Sequence, residues 1–145
     1  VVVPAPPATT RPPVDSPPTT VGDSLAPVVS GLSVSGRRAG RRPTVRLTVS
    51  EPSVVDVRLQ RLRKGVRRGG RCRTSRSARR RGGRACRRYV TLVRLRVETP
   101  GGAVKRRLGG RRLAPGRHRV LVRAEDAAGN VSSASSLVFT SRRVR

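Results

Sequence analysis

A chain of 145 residues allows one domain and leaves little room for a second. Lys and Arg number 34 against seven acidic residues, a formal net charge of +27, and 32 of those cations are Arg. One Tyr, one Phe, no Trp and no Met exclude a ring-filled core, and no apolar run nears the ~18 residues of a membrane span, so an aliphatic core remains.

The chain opens with neither Met nor a basic segment followed by an apolar stretch, and it reads as a mature product or an excised fragment. Residues 1–27 hold eight of the twelve prolines, interspersed with Thr and Ser, and carry a net charge of minus one. Proline fixes φ and removes an amide donor, so the block cannot enter a sheet interior. The expectation is a disordered Pro/Thr-rich linker or stalk. A PxxP ligand and an O-glycosylated stalk are sharper alternatives with the same composition.

From Val28 the hydrophobic pattern has period two. Val45, Leu47 and Val49 alternate with Thr44, Arg46 and Thr48; Val55, Val57 and Leu59 alternate with Asp56, Arg58 and Gln60. Val93, Leu95 and Val97, then Val120, Val122 and Ala124, then Leu137 and Phe139 repeat the arrangement. Such alternation turns one side of a strand inward and leaves Arg or Thr outside. Glu51-Pro52, Thr99 to Gly102, Gly109-Gly110, Pro115-Gly116 and Ala128 to Asn130 mark turns. With Leu32–Val34 and Val104–Leu108 the count is about seven strands and no helix. The prediction is all-β, an antiparallel two-sheet sandwich over residues 28–145.

Between the third and fourth core strands lies an anomaly. Residues 61–88 carry 14 cations and no acid, in a place where sandwich connections are short. The segment reads as an inserted loop or as a long hairpin leaving the sandwich. Cys72 and Cys86 sit within it and suggest a disulfide pinning its base, a cross-link worth roughly 3 kcal/mol in the chain-entropy model. Free thiols activated by the surrounding Arg are the rival reading. Zinc lacks ligands, since only His118 remains to help. A disulfide favours an extracytoplasmic compartment.

Two readings of the Arg excess compete: the codon bias of a GC-rich genome, and a polyanion-binding surface. For the second, the candidates are Arg67, Arg68, Arg71, Arg73, Arg76, Arg79, Arg80, Arg81, Arg84, Arg87 and Arg88. Nucleic-acid binding is the functional rival, and it lacks readout: Tyr89 is the only ring near the segment, and no recognition helix exists for a groove. Contacts would run through phosphates and be sequence-blind. No phosphate-binding GxxxxGK[ST] loop occurs, and Gly69-Gly70 and Gly82-Gly83 precede no expected helix. A triad of His118, Asp126 and a Ser lacks a nucleophile-elbow pattern, and His118 reads better as a strand residue packed at a sheet corner. Calcium at Glu125, Asp126 and Asn130 is conceivable but weakly supplied, and Asp126 reads better as an acceptor of amides in its own turn. The expectation is no enzyme, no cofactor and no metal.

The stretch Leu113-Ala-Pro115-Gly116-Arg-His118, followed by Val120 to Asp126-Ala-Ala-Gly129-Asn130, resembles bacterial immunoglobulin-like or fibronectin type III-like modules. These often carry a Leu-x-Pro-Gly-x-Tyr turn and then a strand ending in an Asp-x-x-Gly-Asn loop. Thr44 to Val57 is similar to their core hairpin, and here His118 stands where the family usually has Tyr. The resemblance covers residues 28–143 and implies a secreted or cell-surface spacer or adhesion module of a high-GC bacterium. It makes Leu113, Pro115, Gly116, His118, Asp126, Gly129 and Asn130 structural corner and turn residues. The expected partners are nonspecific: an anionic cell-wall polymer, an anionic membrane surface or extracellular nucleic acid. Other domains of a longer polypeptide would accompany a monomeric module.

Overall fold

The computed structural model describes residues 24–110 and 112–143. The expected stalk therefore lies almost wholly outside the described residues; of its last four, Pro27 is already buried. In chain order the elements are β1 (Val29–Ser35), β2 (Thr44–Val49), β3 (Ser53–Arg68), β4 (Arg71–Arg73), α1 (Arg76–Arg80), β5 (Arg84–Thr99), β6 (Gly102–Arg107), β7 (Gly116–Glu125) and β8 (Ser135–Ser141). All strand pairs are antiparallel. One sheet runs β1-β2-β6; the other runs β5-β3-β7-β8, with β4 on the edge of β3 beyond the end of β7.

The two sheets close on an aliphatic core, as the period-two pattern predicts. Val34, Val45, Leu47, Val49 and Val104 face Val55, Val57, Leu59, Val97, Val120, Val122, Ala124 and Phe139, with Leu108 and Leu113 completing the cluster. A buried Val or Leu contributes about 1.5–3 kcal/mol, so a core that is aliphatic but for Phe139 suffices when enough such positions line up. The loop between β1 and β2 is stitched to the neighbouring corner: Gly40 N–H donates to the Leu113 carbonyl and Leu113 N–H to the Arg41 carbonyl, each at 2.8 Å.

Three details depart from the sequence reading or decide between its alternatives. There are eight strands among the described residues, the eighth being the three-residue β4. A short helix, α1, occurs where none was expected, its first turn capped by the Ser75 hydroxyl, which accepts from Ala78 N–H at 3.3 Å. A helix of five residues is too short to write an apolar stripe. Third, of the loop and the hairpin that the sequence left open for residues 61–88, the hairpin forms. β3 and β5 stay paired from Ser53↔Thr99 to Arg67↔Arg84, so the segment is the outer half of one long hairpin.

Candidate functional site

β7 accompanies β3 only as far as Arg61↔His118, where the sandwich ends. β3 runs on to Arg68, seven residues further and therefore about 23 Å beyond that edge. Gly69 and Gly70 (φ 55° and 72°) then make the two-residue turn, whose two positive φ values match the twist of the flanking strands. β4 returns along β3, and α1 leads back to β5.

Cys72 and Cys86 form a disulfide, with Cα atoms 5.9 Å apart. Cys72 pairs opposite Arg67 on one edge of β3 and Cys86 opposite Gly65 on the other. In a flat sheet, strands on either side of a third lie ~9.5 Å apart. The tip must therefore curl β4 over the face of β3, and Gly65 makes room. A Cβ there would overlap the Arg73 carbonyl and sit 3.2 Å from Cys72 Sγ. The disulfide accordingly does not pin the base of the hairpin, as the sequence suggested. It lies four residues out from the Arg61 level, and the backbone ladder holds the base.

A β-bulge decides which way Cys86 faces. The register passes from Leu59↔Val93 to Gln60↔Thr91, leaving Leu92 unpaired. Inside the bulge Val93, Leu95 and Val97 share the core-facing side of β5. Beyond it that side passes to Val90, Arg88, Cys86 and Arg84, opposite Arg61, Arg63, Gly65 and Arg67. One extra residue exchanges the two faces of a strand. Without it Cys86 would point away from Cys72.

The cations fall into two groups. Some hold backbone carbonyls: Arg61 Nη2 donates to Pro115 O at 2.7 Å, Arg68 Nη2 to Arg81 O at 2.6 Å and Arg88 Nη1 to Cys72 O at 3.2 Å. Arg68 thereby caps the carbonyl end of α1. The others, among them Arg71, Arg73, Arg76, Arg79, Arg80, Arg81, Arg84 and Arg87, are exposed. Arg67 is exposed as well, at the outer end of β3. The carboxylate pairs among the described residues both involve Asp56, which accepts from Arg94 at 2.8 Å and Arg58 at 3.0 Å. Partial burial alone would raise the Asp56 carboxyl, but the hydrogen bonds from Arg94 and Arg58 outweigh it and hold the group below the usual carboxylate value. That carboxylate lies within the sandwich, so it neutralises nothing on the hairpin. One face of Tyr89 is covered by the Arg119 guanidinium, 4.1 Å from the ring centroid. Gln60 fixes that guanidinium through bonds of 2.9 and 2.6 Å to its Oε1.

The corner residues have structural surroundings. His118 is fully buried, donates from Nδ1 to the Gly116 carbonyl at 3.0 Å and stacks on Phe139 at 5.5 Å. It thus bonds back to upstream backbone, as a corner Tyr would. Burial pushes its imidazolium below the ordinary value; the Gly116 bond opposes this and the nearby Arg61 charge reinforces it. Arg61, which the sequence placed simply at the start of the basic segment, is a corner residue through its bond to Pro115. Asp126 Oδ1 accepts Asn130 N–H and Oδ2 accepts the Asn130 amide, both at 2.8 Å, while Gly129 N–H donates to the Asp126 carbonyl at 3.2 Å. The Asn130 side chain leads in holding the Asp126 carboxyl below its usual value. Among the described residues no three His, Cys, Asp or Glu side chains gather as a metal site, and no helix is long and apolar enough to cross a membrane.

No protein-family model and no curated protein matches this chain. Its disulfide fits an oxidising compartment.

Proposed function

We propose that the chain is a non-catalytic, immunoglobulin-like module of the cell exterior that presents a braced cationic hairpin to anionic polymers. The observation that carries the reading is the hairpin itself: a disulfide-closed projection with exposed Arg and no acidic residue between positions 61 and 88. Guanidinium groups suit phosphate and sulfate because their planar fork donates two parallel hydrogen bonds. The strand order β1-β2-β6 facing β5-β3-β7-β8 supports the immunoglobulin-like assignment, with β3, β7 and β8 in the places of its C, F and G strands. Tyr89, with one face under Arg119, is poorly placed for base stacking, which favours phosphate contact over base readout.

The test is a salt titration of binding to duplex DNA and heparin. If about six phosphates are contacted, DNA affinity falls with a log–log slope near −5. Changing the exposed Arg80, Arg84 and Arg87 to Ser flattens the slope by up to ~3 and leaves the fold intact. Scrambled DNA competes equally. One sequence binding about a hundredfold tighter than its scramble would replace this reading with specific nucleic-acid recognition.

A further inference from the structure

The long hairpin has a gap in its ladder. On the edge of β3 shared by β7 and β4, pairing stops at Arg61↔His118 and resumes at Val66↔Arg73. Among the described residues no strand pairs with Leu62–Gly65 on that side, and a strand edge without a neighbour presents main-chain donors and acceptors outward. A cavity of about 550 Å³ opens at this notch. β3 supplies Arg61, Arg63 and Lys64 to its wall, and α1 supplies Arg76 and Arg79 from the opposite side, with Thr74 between them. None of the five cations meets a carboxylate among the described residues.

Five like charges around one cavity repel one another, so the fold must impose their convergence. It does so through the curl over Gly65 and the Cys72–Cys86 bond, which carry α1 back against β3. A merely solvated basic segment would let α1 swing outward and separate Arg76 and Arg79 from Arg63 and Lys64. We infer that the notch is a discrete binding site for a cluster of tetrahedral oxyanions: an oligophosphate, or neighbouring sulfates of a sulfated sugar. The inference rests on the polyanion reading and deepens it. The volume lies within the ~300–1,000 Å³ of ordinary ligand sites and exceeds what one phosphate fills. Guanidinium forks from two walls hold oxyanions that lie side by side, and the Thr74 hydroxyl adds a neutral donor.

The experiment is calorimetric titration of the oxidised protein with tripolyphosphate, and in a second arm with a trisulfated heparin disaccharide, in 150 mM NaCl. One saturable site is expected, and the tighter arm identifies the oxyanion. Thr74→Phe fills the cavity without changing any charge and should weaken binding about tenfold or more, while heparin-column elution stays as in the wild type. Arg76→Gln, a milder change at an exposed position, should weaken binding several-fold, whereas Arg80→Gln, equal in charge but off the notch, should change it less than about twofold. Equal effects of Arg76→Gln and Arg80→Gln, or no effect of a folded Thr74→Phe, overturn the notch and leave the broader reading standing. Unchanged heparin elution after Arg80, Arg84 and Arg87 become Ser overturns the broader reading instead.

Discussion

The buried His118 makes stability depend on pH in a window of its own. The ring has no solvent exposure, its Nε2 has no hydrogen-bond partner among the described residues, and Arg61 lies nearby. Burial therefore keeps the folded-state value below the ordinary 6.5, with the Gly116 bond opposing it only in part. The unfolded chain takes up a proton near 6.5 and the folded protein only at lower pH. Stability is thus complete above about 6.5 and falls as pH drops below it, until the folded group also titrates, at up to ~1.4 kcal/mol per pH unit. Between pH 7.5 and 5.5 the loss is up to about 1.4 kcal/mol. Asp56 is held below the usual carboxylate value, so it contributes nothing to this window. Urea denaturation at pH 7.5, 6.5 and 5.5 measures the loss, with His118→Phe as the control. That variant can keep the ring contact to Phe139 but leaves the Gly116 carbonyl without its donor, a cost of ~1–3 kcal/mol at every pH. Its stability should be lower throughout and flat across the window. A flat wild-type profile, or the same slope in both proteins, would refute the argument.

Replacing both Cys72 and Cys86 by Ser should cost about 3 kcal/mol, the loop-closure value for their sequence separation of 14. Circular dichroism of that variant should still report the sandwich, since backbone pairing holds the base of the hairpin; loss of the whole β signal would contradict this. Deleting Leu92 should remove the bulge, turn Cys86 to the opposite face and leave two alkylatable thiols after oxidative refolding. A disulfide that still forms would mean the bulge does not set the facing.

Legibility in the sequence tracked burial. β2, the inner half of β3, β7 and β8 were readable because a core beneath them forces apolar residues to every second position. Beyond Arg61 there is no core, so Arg63, Lys64, Arg67 and Arg68 carry no alternation, although the backbone pairs as before. The sequence leaves a loop and a hairpin both open there, because strand signals report a buried face and not the ladder. Gly69-Gly70 between two cationic runs was the available sign of a hairpin, since both residues can take the φ values of a tight turn. The Leu92 bulge left no trace, as an extra aliphatic residue inside Val90-Thr-Leu-Val93 reads as ordinary strand.

Arg61 was hidden for a related reason: the cation count of its segment says nothing of a partner 54 residues away at Pro115. The same holds for Arg68 on Arg81 and Arg88 on Cys72, 13 and 16 residues away. A guanidinium stays charged while its several donors satisfy carbonyls that strand ends and turns leave open, so a chain with seven acids can place many Arg without pairing them. An Arg excess of any origin fixes only how often Arg occurs. It does not account for Arg on the carbonyl end of α1, Arg at the mouth of the corner, and five cations set around one notch.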